Sequence, residues 1–271
     1  MRIACACLVL LVACNPPGKR LAETGHATPE KAEKAEQDLA AANAPPAPTL
    51  PPVAPELISH GRRDRKQIAL TLDACSTREP SRYDAKVTAA LLAANAPATI
   101  FLGGSWAKEE VAQVKELASH PQFELGNHTY THPHLPELKD EARIRAEIVR
   151  TQAEVKALTG QTPRLFRPPY GEYDQRVIQI AGELGLVTVE YDLPSGDPDA
   201  HATKERLVQW VLSQAKPGSI VVMHINHVKF HTAEALPDII AGLRARGFTL
   251  VTVGQLISAL NPGAPVVGAS P

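Results

Sequence analysis

The segment "IALTLDAC", residues 68–75, is a short apolar run that ends in an acid, an alanine and a cysteine. Apolar runs of this length are typical of strands buried in a parallel sheet. Along a strand, Asp73 and Cys75 share one face, while Ala74 points to the other. The segment therefore predicts a buried strand that carries an acid and a thiol to its carboxyl end.

Short apolar segments alternate with longer amphipathic segments after residue 57, which indicates βα units with parallel strands. Strands are predicted at residues 67–73, 98–102, 122–126, 164–167, 187–191, 219–223 and 249–253, and helices near residues 83–94, 109–119, 139–158, 174–184, 203–214, 233–246 and 255–260. Seven strands and seven helices favour an α/β fold closed into a barrel, and a doubly wound open sheet is the alternative. Either fold places its chemistry at the carboxyl ends of the strands.

The first residues combine Arg2 with an apolar run, residues 3–13, that is too short to span a bilayer as a mature helix. This pattern is typical of a signal peptide. Residues 11–14, "LVAC", resemble the lipobox of bacterial lipoproteins. We therefore expect a lipoprotein signal peptide at residues 1–13, a lipid anchor on Cys14 that binds the membrane, and a periplasmic or cell-surface location. An ordinary secretory peptide or a short buried helix is the alternative.

The four cysteines fit this interpretation. Cys5 and Cys7 would leave with the signal peptide, and Cys14 would carry the lipid. Cys75 would then be the single thiol of the mature chain, so no disulfide is expected within it.

Residues 14–56 are rich in Ala, Pro, Glu and Lys and lack the apolar periodicity of a core. This composition predicts a tether that precedes a catalytic domain at residues 57–262, with a disordered tail at residues 263–271. The formal net charge is -1, which excludes the broad basic surface typical of nucleic-acid binding. We expect a monomer with no nucleic-acid partner.

Polar residues follow several of the predicted strands, where a scaffold alone would not need them. They are Asp73, His128, His132, Arg167, Asp192, Asp197 and His224. In "GNHTYTHPH", His128 and His132 are four residues apart and would face the same way on a helical turn, which suits two imidazoles on one metal ion. A capped loop with exposed histidines is the alternative.

The stretches "FRPPYG" and "SIVVMH" each bring one charged or titratable residue to a strand end. Arg167 is followed by two prolines that stiffen the backbone, and a rigid Arg near an acid would orient the acid and lower its pKa. A structural Arg that caps carbonyl groups, and a His224 satisfied within the core, are the alternatives.

Taken in order, "TLDA", "HTYTH", "RPPY", "YDLPSGD" and "VMH" resemble the five motifs of the polysaccharide deacetylases, which are carbohydrate esterase family 4 or the NodB-homology domain. The resemblance covers roughly residues 68–260. It implies a deformed (β/α) barrel of about seven parallel strands. It also implies a divalent metal, often zinc, and a hydrolase that removes N-acetyl groups from an amino-sugar polysaccharide such as peptidoglycan or a chitin-like glycan.

Matched to the family motifs, Asp73 would be the general base, oriented by Arg167, and His224 would be the general acid. His128 and His132 would bind the metal. The acid that tunes His224 maps to Asp197 or to Asp192, and the sequence does not decide between them. Tyr170, Pro169 and Trp106 are expected to contact the glycan.

The first motif departs from the family pattern Thr-Phe-Asp-Asp-Gly. Ala74 stands where the family has its metal-binding Asp, and Cys75 replaces the Gly. The fourth motif lacks its Trp, with Pro198 in that place. The candidates for a third metal ligand are Asp73, Cys75, His227 and His231. A non-catalytic glycan-binding lipoprotein is therefore the rival function, and hydrolysis of a different amide or an ester is a third possibility.

Overall fold

In a computed structural model of the chain, the described residues are 49–76 and 82–258, which lie in one compact unit. Within these ranges the strands are β1 (Leu57–Ile58), β2 (Gln67–Ala74), β3 (Ala98–Leu102), β4 (Phe123–Asn127), β5 (Leu165–Phe166), β6 (Val187–Val189), β7 (Leu193–Pro194), β8 (Ile220–His224) and β9 (Thr249–Val251). The expected signal peptide, Cys14, the first part of the tether and the C-terminal tail lie outside the described residues.

The helices alternate with the strands along the chain. They are α1 (Ala85–Ala93), α2 (Gly104–Glu109), α3 (Val111–Ser119), α4 (Glu141–Thr159), α5 (Gln175–Glu183), α6 (Lys204–Gln214), α7 (Thr232–Ala245) and α8 (Val253–Ser258). No helix in residues 49–76 or 82–258 is long and apolar enough to cross a membrane.

The strands form one parallel sheet in the order β1-β6-β5-β4-β3-β2-β8-β7, and β9 pairs with the start of β2. An isolated antiparallel bridge joins His60 to Ser219, so the chain after the edge strand β1 contacts the chain before β8. The sheet thus curls into a half-barrel, which confirms the predicted deformed (β/α) barrel. The predicted strands correspond to β2, β3, β4, β5, β6, β8 and β9, and the two-residue strands β1 and β7 are additions.

Strand β2 crosses the centre of the sheet and sends alternate side chains to opposite sides. Ile68, Leu70, Leu72 and Ala74 join the largest hydrophobic cluster, which packs against the helices. Thr71 and Asp73 lie on the other face, where both contact one arginine. The alternation expected for "IALTLDAC" therefore delivers Asp73 to the functional side of the sheet and Ala74 to the core.

The stretch before β1 lies against the domain, although the sequence predicts a tether up to residue 56. The backbone N–H of Val53 donates to the carbonyl of Gly182 at 2.9 Å. Leu50 packs on a hydrophobic cluster that includes Val177 and Ile180. The packed chain therefore starts before Leu57.

Candidate active site

Asp73, the last polar residue of β2, is held by Arg167, which directly follows β5. The Nη1 group of Arg167 donates to Asp73 Oδ1 at 2.8 Å and to Thr71 Oγ1 at 2.8 Å. The Arg167 side chain is fully buried, and its guanidinium lies over the Phe101 ring at 4.0 Å from the centroid. Burial raises the pKa of Asp73, but its interactions with Arg167 and then with His128 outweigh the effect of burial and hold this pKa below its usual value. Asp73 is therefore ionised at neutral pH.

His128 and His132 meet in the loop after β4, with ring centroids 5.0 Å apart. This segment contains no helical turn, so the prediction that the two histidines share a helical turn is wrong. The histidines meet because the loop folds back on itself. Thr129 and His132 both have positive φ, at 63° and 59°. Such strained conformations are retained mainly at functional sites, because folding alone would not favour them.

One acidic side chain and one backbone carbonyl hold this loop in place. Glu147 on α4 accepts hydrogen bonds from the backbone N–H groups of Tyr130 and Thr131 and from the Thr131 hydroxyl. The carbonyl oxygen of Arg167 accepts a hydrogen bond from His128 Nδ1 at 2.8 Å, since a carbonyl can only accept. The proton of His128 is thereby fixed on Nδ1, which leaves Nε2 without a proton and 3.7 Å from Asp73 Oδ2.

His224 ends β8, in register with Asp73 on the neighbouring strand β2. Its Nδ1 atom lies 3.0 Å from Asp197 Oδ1, and its backbone N–H donates to Asp197 Oδ2 at 2.7 Å. Burial lowers the pKa of His224, but the adjacent charge of Asp197 outweighs it and raises this pKa above its usual value. Asp192 instead accepts from the backbone N–H of Ile220, at the opposite end of β8. The structure therefore places Asp197 beside His224.

These residues surround one cleft with a volume of about 370 Å³. Its lining includes Asp73, Cys75, His128, His132, Tyr170, Gly171, Tyr191, Asp197, His224, His227 and Phe230. The ring of Tyr170, which is 53% exposed, stacks on His134 with centroids 4.0 Å apart. Tyr170 also has a positive φ of 60°. Tyr170 therefore lies at the cleft, and its expected contact with the glycan stays a prediction.

Neither Trp106 nor Pro169 lines the cleft. Trp106 lies on α2 and is fully buried in the largest hydrophobic cluster, beside the ring of Tyr83. A glycan in the cleft cannot reach it, so its expected substrate contact is corrected to a role in packing. Pro169 is buried at the start of a short turn and supports the exposed Tyr170.

A possible metal-binding group is formed by Cys75, His128 and His132, whose ligand atoms all lie within 4.8 Å of one another. Sulfur and imidazole donors are the ligands that zinc prefers, so the residues present fit a divalent metal. Burial raises the pKa of Cys75 to about 12, and Asp73 adds to the shift. Burial also lowers the pKa of His132 to about 3, so this imidazole is neutral.

The two downstream histidines lie apart from this group. His227 lines the cleft and stacks on Phe230, with centroids 4.5 Å apart. His231 is exposed at the start of α7, where its Nδ1 atom lies 2.9 Å from Glu234 Oε2. The structure therefore brings neither residue into the metal-binding group that the described residues form.

Sequence patterns did not point to Glu190 or Asn226. Glu190 is buried after β6, and burial raises its pKa to about 7. Asn226 follows β8, and its Nδ2 group lies 2.5 Å from the Cys75 carbonyl oxygen and 3.8 Å from the Cys75 sulfur. A single acid or amide after a strand carries no sequence signal that separates it from an ordinary loop residue.

Comparisons with known proteins agree with this geometry. The sequence profile of the family described as polysaccharide deacetylase matches residues 60–189. The chain is 29% identical over 199 residues to a peptidoglycan-N-acetylglucosamine deacetylase of Bacillus cereus, covering 72% of this chain and 70% of the relative. It is 28% identical over 200 residues to the peptidoglycan-N-acetylmuramic acid deacetylase PdaA of Bacillus subtilis, covering 73% of each.

The fold is also similar to that of a carbohydrate esterase family 4 pseudoenzyme from Bacillus anthracis. The TM-score is 0.69 at 29% identity, covering 76% of this chain and 70% of that one. A mutant of that pseudoenzyme with restored enzymatic activity has the same TM-score, 0.69, at 30% identity, covering 76% of this chain and 72% of that one. Together with the five ordered motifs, these similarities confirm the family. The chain belongs to the polysaccharide deacetylases, carbohydrate esterase family 4.

Proposed function

We propose that the chain is a metal-dependent hydrolase that removes N-acetyl groups from an amino-sugar polymer of the peptidoglycan or chitin type. The observation that carries this proposal is the pairing of Asp73 with His224 at one cleft. The two residues are in register on neighbouring strands, and each has a buried partner of opposite charge, Arg167 or Asp197. Amide hydrolysis needs such a base and acid, whose surroundings push their pKa values apart.

The proposed roles follow from these charges. Asp73, kept ionised by Arg167, would accept a proton from the attacking water. His224, whose protonated form Asp197 stabilises, would donate its proton to the nitrogen as the C–N bond breaks, because an unprotonated amide nitrogen leaves poorly. The products are acetate and a free amine on the sugar. A divalent metal, proposed to be zinc and held by His128, His132 and a third ligand, would polarise the acetyl carbonyl and lower the pKa of a bound water.

The shape of the surface supports a polymer as the substrate. A second groove, of about 450 Å³, lies beside the cleft and shares Ser195 and Gly196 with it. Trp210 on α6 lines this groove, and 47% of its surface is exposed. Its Nε1 group donates to the Pro194 carbonyl at 2.8 Å, which fixes the indole in place. A fixed aromatic face beside the cleft suits a sugar ring next to the reacting one.

The named activities of the Bacillus cereus and Bacillus subtilis relatives support a cell-wall substrate, and thus an extracytoplasmic location. The predicted signal peptide and the "LVAC" motif of the sequence support anchoring through a lipid on Cys14. Metabolic labelling with a palmitate analogue tests the anchor. The wild type should incorporate the label and Cys14→Ser should not, and equal labelling of both would contradict anchoring at Cys14.

A non-catalytic glycan-binding role is the second candidate. It is favoured by Ala74, which stands where the family motif has a carboxylate, and by the similarity to a pseudoenzyme. The presence of two buried pairs at one cleft, Asp73 with Arg167 and His224 with Asp197, favours catalysis, because a binding protein has no need of this arrangement.

Acetate release separates the two candidates. The purified chain is incubated with N-acetylglucosamine oligomers and with intact cell wall, with and without a metal chelator. A deacetylase should release acetate, and chelation should stop the release. Retention on the polymer without acetate release, at any metal supplied, would favour the binding protein.

A further inference from the structure

The thiol of Cys75 faces the cleft and not the core. Ala74, the preceding residue, belongs to the largest hydrophobic cluster, whereas Cys75 belongs to none of the three clusters of the described residues. The Cys75 side chain instead lines the cleft together with Asp73, His128 and His132. A cysteine that served as a small apolar filler would be expected on the side of Ala74.

From this placement we propose that Cys75 supplies the third metal ligand as a thiolate, forming a Cys-His-His centre in place of the carboxylate that the family motif would place at residue 74. The inference rests on the proposed metal dependence of the site. The three ligand atoms lie within 4.8 Å of one another, and a tetrahedral zinc ion would hold such atoms about 3.5 Å apart. Small side-chain rotations close this difference, and the thiol proton passes to solvent as the metal–sulfur bond forms.

Two of the other candidate ligands have partners elsewhere, and the third, His227, stacks on Phe230 and is not a member of the close group in the described residues. Asp73 Oδ1 pairs with Arg167 at 2.8 Å, and Asp73 is not a member of the close group that Cys75 forms with the two histidines in the described residues. His231 is exposed at the start of α7 and faces Glu234. Asp73 thus remains available as the base, and Cys75 replaces the missing carboxylate.

One neighbour, Asn226, favours a thiolate at Cys75, which burial and the charge of Asp73 oppose. Asn226 is fully buried, and its Nδ2 group reaches both the sulfur, at 3.8 Å, and the carbonyl oxygen of Cys75. An amide donor aimed at sulfur stabilises negative charge there and fixes the direction of the side chain. The hydrogen bond from His128 to the Arg167 carbonyl does the same for the imidazole, since it turns Nε2 toward the cleft.

A thiolate ligand has a consequence for metal choice. Sulfur is a soft donor that favours zinc, cobalt and cadmium, whereas carboxylate and water sites suit magnesium and manganese. We therefore expect the chain to bind cobalt and cadmium well and to discriminate strongly against magnesium.

The test uses cobalt(II) as the probe on the full purified chain, because a cobalt–thiolate bond gives a charge-transfer absorption band in the near ultraviolet. Wild type should show the band, and Cys75→Ser should lose it. The variant with Cys5, Cys7 and Cys14 all changed to Ser is the matched control and should keep it. Zinc affinity should fall at least about 100-fold in Cys75→Ala, since even outer-shell partners are worth 10–100-fold. Circular dichroism monitors folding of each variant.

Each outcome decides the proposal. Cobalt bound without the band, zinc affinity unchanged in Cys75→Ala, or no metal bound by the wild type would each overturn the thiolate ligand. The proposed function is tested separately, by acetate release. It fails if the metal-loaded wild type releases no acetate. Cobalt bound through Cys75 without acetate release would leave the thiolate centre standing and remove the deacetylase.

Discussion

Arg167 and Asp73 form a buried ion pair at 2.8 Å between the end of β2 and the residue after β5. Both side chains are nearly inaccessible to solvent, so neither charge can be satisfied by water if the other is removed. The pair therefore links the stability of the barrel to the ionisation of the proposed base.

Replacing Arg167 with Met should destabilise the fold by about 3–5 kcal/mol at neutral pH, because it leaves a buried charge without its partner. The pair lowers the pKa of Asp73 in the folded state, so its stabilising effect is present above the unfolded value of about 3.9 and is lost as the pH falls below it. The stability gap between wild type and Arg167→Met should therefore shrink in acid. Urea denaturation from neutral to acid pH measures the gap, and a gap independent of pH would contradict the linkage.

The pH dependence of activity should report the contact between His224 and Asp197. Because Asp197 raises the pKa of His224, the general acid stays protonated to a higher pH, and activity falls as the pH rises through that pKa. Asp197→Asn should move the alkaline limb of kcat/KM to lower pH. Asp192→Asn is the matched control, since Asp192 lies at the other end of β8 and should leave the limb in place. An unmoved limb in Asp197→Asn would refute the pairing.

The Ala74→Asp substitution tests whether the site only lacks the carboxylate of the family motif or uses another metal ligand in its place. The Ala74 side chain is fully buried in the hydrophobic core, so Ala74→Asp would place a carboxylate among apolar side chains at a cost of several kcal/mol. We expect lower thermal stability and no gain in zinc affinity. Ala74→Asn is the control for size without charge. Tighter zinc binding together with faster acetate release in Ala74→Asp would show that the missing carboxylate is all the site lacks.

The stretch before β1 should contribute measurably to stability. A chain that starts at Leu57 loses the packing of Leu50 and the Val53 hydrogen bond, together worth about 1–3 kcal/mol. For a domain of this size each kcal/mol lowers the melting temperature by about 2–4 °C. A chain that starts at Thr49 should keep the full melting temperature. Equal melting temperatures of the two chains would show that residues 49–56 do not stabilise the domain.

Trp210 should matter more for long substrates than for short ones. Because it lies in the groove beside the cleft, Trp210→Ala should raise KM for long N-acetylglucosamine oligomers and leave the shortest deacetylated oligomer nearly unaffected. Loss of one sugar–aromatic contact corresponds to about 0.5–1.5 kcal/mol, or a few-fold to about tenfold in KM. Equal effects on all lengths would remove this groove from the substrate path.

Much of the fold could be predicted from the sequence because buried parallel strands have a strong local signal. The apolar run before Asp73 marks β2 almost to the residue, and the predicted strand 98–102 coincides with β3. Helix α2 was missed because Gly103 and Gly104 suggest a loop, whereas Gly104 is needed there for close packing against Tyr130. Trp106, on this helix, was expected to contact the glycan, and the structure places it in the core.

Most residues of the candidate site could be predicted from the sequence, but the way they are arranged in space could not. The histidines of "HTYTH" could be paired from their spacing, but the left-handed backbone of Thr129 and His132 that brings them together depends on Glu147, far along the chain. The choice of Asp197 over Asp192 depends on the loop between β7 and α6, where Gly196 has a φ of 82°. Contacts of this kind are tertiary, and no local pattern encodes them.

Acetate release by Asp73→Asn, compared with wild type at saturating zinc, tests the central claim most directly. The side chains are nearly the same size, but Asn cannot accept the proton from water. The account predicts that the wild type releases acetate from N-acetylglucosamine oligomers and that Asp73→Asn is about 10²–10⁴ slower, while binding zinc with similar affinity. A rate for Asp73→Asn near that of the wild type, or no acetate from the zinc-loaded wild type, would contradict it.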